Sequence, residues 1–103
     1  MILGLDISTS ITGVTVLNDK GEIVLCEAID TRNKNHFPSL FHKAYRVKAR
    51  LLDLKEEYNI EHIYIEKNLQ TFRSGFSSAK TLSTLAAFNG IVSWVCFETW
   101  GEP

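Results

Sequence analysis

The first thirty residues contain three β-rich runs with a turn between the last two. An apolar run over residues 1–5 ends at Asp6, and a second run over residues 12–19 alternates valines with threonines. A third run follows at residues 20–30. The residues 18–21 have the composition of a tight hairpin turn in which Gly21 can take positive φ. This pattern predicts three strands in an antiparallel meander.

Two helices and a fourth strand are predicted in the rest of the chain. From Leu40 the apolar residues recur in steps of four and three, which is the spacing of one helical face, and Pro38 or Ser39 is expected to start this helix. Alternation around Ile63 and Ile65 then predicts a strand that ends at Glu66. A second helix is predicted from about residue 77 to the high nineties.

The predicted order is β-β-β-α-β-α, an α/β fold with a mixed sheet. A strand that follows a crossover helix is expected to lie parallel to its partner, with a right-handed crossover. If the fourth strand pairs with the first, Asp6 and Glu66 both lie at the carboxyl ends of adjacent parallel strands. Open α/β sheets bind their ligands at such ends.

Asp6 poses an energetic question, because a carboxylate buried after an apolar strand costs several kcal/mol unless something compensates for its lost hydration. Either a turn begins at Asp6 and lifts the side chain into water, or a cation binds it. A metal shared with Glu66 would be such a cation. The plainer alternatives are that Asp6 caps Ser8 or Thr9 in a turn and that Glu66 is a solvent-facing residue at a strand end.

Charge is distributed unevenly along a chain whose net charge is only −1. Residues 31–52 contain no acid but six bases, and residues 67–97 contain no acid but three bases. This asymmetry suits a polyanionic ligand, although a solvated helix face would explain it equally well. With 103 residues and 45% hydrophobic content, we expect one globular domain.

The chain is expected to be a cytoplasmic protein outside the membrane. Cys26 and Cys96 fit neither a disulfide framework nor a Cys-x-x-Cys motif, which favours a reducing compartment. The amino-terminal apolar run is too short for a signal peptide and lacks a basic leader. The uncharged stretch 81–97 is interrupted by polar residues and is shorter than the roughly 20 residues of a membrane span. It predicts a buried helix.

Two segments, "GLDISTSITGVTVLNDKGEIV" and "IYIEKNLQTFRSGFSSAKTLSTLAAFNGIV", resemble the RuvC-like Holliday-junction resolvases of the ribonuclease H-like superfamily. In that family an acid, here Asp6, ends the first strand before a Ser/Thr-rich turn and a glycine. A second acid in an Ile-Glu context ends the fourth strand, which here is Glu66. The resemblance extends over nearly the whole chain, and the order and sixty-residue spacing of these motifs carry it.

The resemblance implies hydrolysis of DNA phosphodiester bonds at branched junctions by two Mg²⁺ or Mn²⁺ ions, typically roughly 3.5–4 Å apart. Asp6 is expected to bridge the two metals, and Glu66 to bind one of them. The remaining expected site residues contact DNA: Phe72 by stacking on a base, and Lys67, Arg73 and Lys80 at phosphates. Filling of the core by Phe72, and a solvated face for the three bases, are the competing interpretations.

The chain departs from the family pattern at its carboxyl terminus. RuvC-like enzymes have two more acidic or histidine ligands on a later helix, after one further strand, whereas this sequence stops at Pro103. Either the sequence is a fragment, or the protein is a reduced variant that cannot complete the site alone. We expect a single nuclease domain over residues 1–103 that is truncated at its carboxyl end and catalytically deficient by itself. We also expect a homodimer through the second helix, with the side that carries Ala86 and Gly90 in contact.

Two other classes of protein fit parts of the pattern. Sugar kinases and actin-like ATPases also begin with a strand, an acid, a Ser/Thr/Gly-rich turn and a hairpin, and there residues 8–13 would cradle ATP phosphates. Against this, 103 residues lack a second lobe to enclose the nucleotide, and Glu66 favours the nuclease. The third possibility is a non-catalytic domain that dimerises through its second helix.

Overall fold

The computed structural model describes residues 1–66 and 79–101. It contains the predicted elements in the predicted order. They are β1 (Ile2–Asp6), β2 (Ile11–Leu17), β3 (Ile23–Asp30), α1 (Leu40–Glu57), β4 (His62–Ile65) and α2 (Ala79–Trp100). The fourth strand ends one residue earlier than the sequence predicted, at Ile65 rather than at Glu66.

The four strands form one mixed sheet in the order β3-β2-β1-β4. The meander β1–β2–β3 is antiparallel, and β4 returns beside β1 in the parallel sense, with Leu5 opposite Ile65. The mixed sheet predicted from the sequence is therefore confirmed. The crossover through α1 is what makes β4 parallel to β1, because it returns the chain to the same end of the sheet.

The β2–β3 hairpin turns where the sequence predicted, and the Asn18 side chain organises it. Its Oδ1 accepts hydrogen bonds from the backbone N–H groups of Lys20 and Glu22, each at 2.9 Å. Gly21 takes a φ of 79°, in the left-handed region that favours glycine. This turn lies at the opposite end of the sheet from Asp6, because Leu17 pairs with Ile2 at the start of β1.

Helix α1 begins after Ser39, whose extended backbone and side chain form an N-cap. Ser39 Oγ accepts a hydrogen bond from the backbone N–H of His42 at 3.3 Å. The buried face of the helix follows the predicted spacing and consists of Ala44, Val47, Leu51 and Leu54. This face packs on the sheet surface formed by Leu3, Leu5, Ile7, Val14, Val16, Ile29 and Ile63, which are all buried.

Helix α2 is buried on one side only, which differs from the predicted buried helix. Its inner side contributes Phe88, Val92, Val95, Cys96 and Thr99 to the core. On its outer side Trp94 and Phe97 are each 57% exposed. The reason is that nothing in the described part of the chain packs over the outer side of α2. Neither described helix is apolar over enough of its length to cross a membrane.

Candidate active site

Asp6 and Glu66 leave the sheet side by side. Asp6 is the last residue of β1, and Glu66 directly follows β4. Leu5 and Ile65 are register partners in the parallel ladder, and the backbone N–H of Glu66 donates to the carbonyl of Leu5 at 3.0 Å. The parallel pairing therefore brings together two acids that are sixty residues apart in the sequence.

Both carboxylates lie in a shallow groove on the outer face of the sheet. The groove has a volume of about 360 Å³, and its lining includes Gly4, Thr15 and Tyr64 as well as the two acids. Asp6 and Glu66 are exposed. Of the two alternatives for Asp6, the structure shows the first, because β1 ends there and the side chain is exposed. A cation is not required to compensate for lost hydration.

Gly13 keeps one side of Asp6 open. Asp6 and Gly13 are partners in the antiparallel β1–β2 ladder. A Cβ atom at position 13 would lie 3.5 Å from the Asp6 Cβ, which is ordinary van der Waals contact. Any other residue at position 13 would therefore place its side chain in contact with Asp6. With glycine at this position, the Asp6 carboxylate stays accessible from the side of β2.

The turn after Asp6 is organised by other residues, so the alternative of Asp6 as a turn cap finds no support among the described hydrogen bonds. Buried Thr12 donates from Oγ1 to the Ser8 carbonyl at 3.1 Å, and its Oγ1 accepts from the Ser8 N–H at 3.4 Å. Ser8 Oγ accepts from the Ser10 N–H at 3.2 Å. The Asp6 carboxylate is left available for a ligand from outside the turn.

The donor set suits a hard divalent cation. Carboxylate oxygens are the ligands that Mg²⁺ and Mn²⁺ prefer, and Mg²⁺ keeps several waters when it binds few protein groups. Within residues 1–66 and 79–101, neither carboxylate forms an ion pair with a basic side chain. The same residues contain no group of three or more potential metal-ligating side chains.

Most of the predicted DNA contacts lie outside the described residues. This applies to Lys67, Phe72 and Arg73, whose predicted roles remain predictions. Lys80 is exposed in the first turn of α2, where its charge is accessible. The exposed outer side of α2 includes Ala86 and Gly90, as the dimer prediction requires.

The basic segment 31–52 is less available to a polyanion than its composition indicates. Three of its six bases form ion pairs: Arg32 with Asp30 at 2.7 Å, Lys48 with Glu98 at 3.6 Å, and Arg50 with Glu27. A fourth, Lys43, donates from Nζ to the Thr9 carbonyl. Among the described residues, Lys34 and Arg46 form no ion pair.

Arg32 also changes the acidity of its neighbour. Hydrogen bonds from the Arg32 side chain and backbone to the carboxylate lower the pKa of Asp30 from 3.8 to about 2. The bidentate contact consists of Nε to Oδ1 at 3.0 Å and the Nη2 to Oδ2 bond. Asp30 is therefore ionised over the whole physiological range, and Arg32 is held beside it.

Comparison with solved structures places this arrangement in a known fold. The chain superimposes on RuvC of T. thermophilus, solved in complex with a Holliday junction substrate, with a TM-score of 0.74. It shares the fold of the part of RuvC that it matches. The match covers 99% of this chain at 17% sequence identity, and 60% of the RuvC chain. The chain therefore spans about three-fifths of RuvC. No protein-family model and no curated protein sequence matches it.

Proposed function

We propose that this chain forms the metal-binding part of a structure-selective endonuclease that acts on branched DNA. The observation that carries the proposal is the side-by-side placement of Asp6 and Glu66 at the ends of two parallel strands in a RuvC fold. The solved RuvC is bound to a Holliday junction, which supports a four-way junction as the DNA class for this chain.

Asp6 and Glu66 are the residues that would hold the metal, with Asp6 as the bridging ligand. A pair of Mg²⁺ or Mn²⁺ ions bound there would supply an activated water and stabilise the leaving oxygen of the phosphodiester. The protein's own contribution is to place both carboxylates at one open groove, where water and a phosphate can approach. Gly4 within the groove and Gly13 beside Asp6 leave this approach open, because they place no side chain there.

We expect the chain to cleave DNA weakly when it acts alone. Two carboxylates hold a hard cation loosely, because each additional charged ligand adds to affinity. Incomplete electrostatic stabilisation of the transition state typically costs about 100-fold or more in rate. Weak cleavage together with specific junction binding is therefore the expected behaviour.

We further propose that a second copy of the chain packs against the outer side of α2. Trp94 and Phe97 expose large apolar surface there, and exposed apolar patches of this kind mark interaction sites. Gly90 and Ala86 would let the backbone of another helix approach closely. A two-fold axis would bring identical faces together.

Dimerisation is tested by light scattering on the wild-type chain and on two variants. Trp94→Ser should give a monomer at concentrations at which the wild-type chain is a dimer. Phe41→Ser removes a more exposed aromatic from α1, where Phe41 is 73% exposed, and should leave the dimer intact. A monomeric wild-type chain would contradict the dimer proposal and leave the metal site unaffected.

The function is tested by comparing binding to a four-way junction with binding to linear duplex of the same sequence. Junction DNA should bind more tightly, and affinity should fall steeply with salt, because phosphate contacts release counterions. Lys80→Glu should weaken binding to every sequence alike. Lys20→Glu is the matched control, because Lys20 is exposed on the hairpin at the opposite end of the sheet.

Equal affinity for junction and duplex, or a flat salt response, would contradict the proposal. Calorimetric binding of ATP in place of junction DNA would instead identify an actin-like or sugar-kinase-like nucleotide site. A chain that binds neither DNA nor ATP but dimerises would be a non-catalytic assembly domain.

A further inference from the structure

Three other elements hold the turn that follows Asp6. The turn consists of residues 7–10, between β1 and β2. Thr12 at the start of β2 binds both the N–H and the carbonyl of Ser8. Thr31 lies just after β3, and its Oγ1 donates to the carbonyls of Thr9 at 3.1 Å and Ser10 at 3.2 Å. Its backbone N–H also donates to the Ser10 carbonyl, at 2.8 Å.

The third element is α1, which contributes Lys43. Its Nζ donates to the Thr9 carbonyl at 2.5 Å, across 34 positions of sequence. Lys43 is half-buried, whereas its neighbour Arg46 on the same helix is exposed. The Thr9 carbonyl thus accepts from two donors, one neutral and one charged, and hydrogen bonds from a charged donor are roughly twice as strong as neutral ones.

We infer that Lys43 is a positioning residue for the Asp6 carboxylate. This inference rests on the proposed metal site and adds to it a residue that contacts neither metal nor DNA. Lys43 would act through the Thr9 carbonyl, by fixing the turn whose first residue follows Asp6. The structural basis is the point at which sheet pairing ends: the last parallel contact of β1 with β4 is the Glu66 N–H bond to Leu5.

On its other side Asp6 pairs with Gly13 of β2, and the turn that follows holds the chain beyond this pair. Within this turn Ile7 is fully buried, Ser8 is bound by Thr12, and the Thr9 and Ser10 carbonyls accept from Thr31 and Lys43. A held backbone fixes the Cβ atom of Asp6 and thereby the positions that its carboxylate can reach. Outer contacts that orient metal ligands typically change metal affinity by about 10–100-fold when they are removed.

A merely structural role for Lys43 would be to fasten α1 to the sheet. That role predicts a loss of global stability without a specific change in metal affinity. The positioning role predicts weaker metal binding by a chain that is still folded, and recovery when another charged donor replaces Lys43. Arginine supplies such a donor, and methionine supplies the length of the side chain without the charge.

The test compares Lys43→Met, Lys43→Arg and the control Arg46→Met by Mn²⁺ titration followed by electron paramagnetic resonance. Lys43→Met should bind Mn²⁺ about tenfold more weakly than the wild-type chain. Lys43→Arg should restore affinity to within about twofold of wild type, and Arg46→Met should leave it unchanged. Amide hydrogen exchange at Ser8 and Ser10 should be faster in Lys43→Met than in wild type and Arg46→Met, in the absence of metal.

Wild-type Mn²⁺ affinity in Lys43→Met, or unchanged exchange at Ser8 and Ser10, would overturn the positioning role. Failure of the wild-type chain itself to bind Mn²⁺ would overturn the proposed metal site. The exchange measurement does not depend on metal, so it separates the two failures. If Lys43→Met exchanges faster but the wild-type chain does not bind Mn²⁺, Lys43 holds the turn but has no role in metal binding.

Discussion

The backbone N–H of Glu66 donates to the carbonyl of Leu5 at 3.0 Å, and this single bond aligns the two candidate metal ligands. Because Asp6 follows Leu5 directly, the bond fixes Glu66 beside Asp6 at the same end of the sheet. The alignment comes from backbone pairing, which is independent of either carboxylate. Substitution of the acids by their amides should therefore leave the fold intact and remove only the charge.

Phe88 is the largest fully buried side chain of the described core, and we expect Phe88→Ala to destabilise the chain by about 3–5 kcal/mol. The loss combines lost apolar burial with the cavity left in the core. Phe41→Ala is the control, since Phe41 is 73% exposed, and it should cost about 0.5 kcal/mol or less. Urea unfolding followed by circular dichroism measures both, and equal losses would contradict this placement of α2.

Arg50 and Glu27 connect α1 to the edge strand β3 through a half-buried ion pair. Arg50 Nε donates to Glu27 Oε1 at 3.0 Å, and the side chains are 22% and 29% exposed. The hydrogen bonds with Glu27 raise the pKa of Arg50, so the guanidinium stays charged. We expect Arg50→Met to cost about 1–2 kcal/mol, at the lower end of the range for bonds to charged groups because of the partial exposure.

A double-mutant cycle separates the pair from its surroundings. Glu27→Gln with Arg50→Met should cost less than the sum of the two single substitutions, because each single substitution already removes the interaction. Arg46→Met is the matched control, because Arg46 is exposed on the same helix. Additive losses in the double mutant would show that the contact contributes nothing to the free energy of unfolding.

The order of elements, the hairpin at Gly21 and the parallel pairing of β4 with β1 were predictable, because each depends on local patterns or on the handedness of a crossover. The exposure of Asp6 was one of two alternatives that the sequence left open, since the sequence does not show where β1 leaves the core. Nor did the composition of segment 31–52 show that Arg50 is paired with Glu27, because that contact joins residues far apart in the chain. The contact of Lys43 with the Thr9 carbonyl could not be predicted from the sequence for the same reason.

Asp30 should contribute to the pH dependence of the free energy of unfolding at acidic pH. Its pKa is lowered from 3.8 to about 2 by Arg32, so the folded state holds the ionised form more strongly than the unfolded state does. This contribution is fully present above pH 3.8 and is lost as the pH falls toward 2. A carbon-detected NMR titration should give a midpoint near 2 for Asp30. Arg32→Gln should raise it toward 3.8, and an unchanged midpoint would contradict the contact.

The shared metal site is tested most directly by paramagnetic line broadening in NMR spectra of the chain titrated with Mn²⁺. Substoichiometric Mn²⁺ should broaden the amide signals of residues 5–7 and of residues 65–66 together, because one ion would lie between the two strand ends. Asp6→Asn and Glu66→Gln should each abolish this broadening, and Asp19→Asn, at the hairpin at the opposite end of the sheet, should not. Broadening at only one of the two strand ends, or unchanged broadening in Asp6→Asn, would contradict a metal held jointly by Asp6 and Glu66.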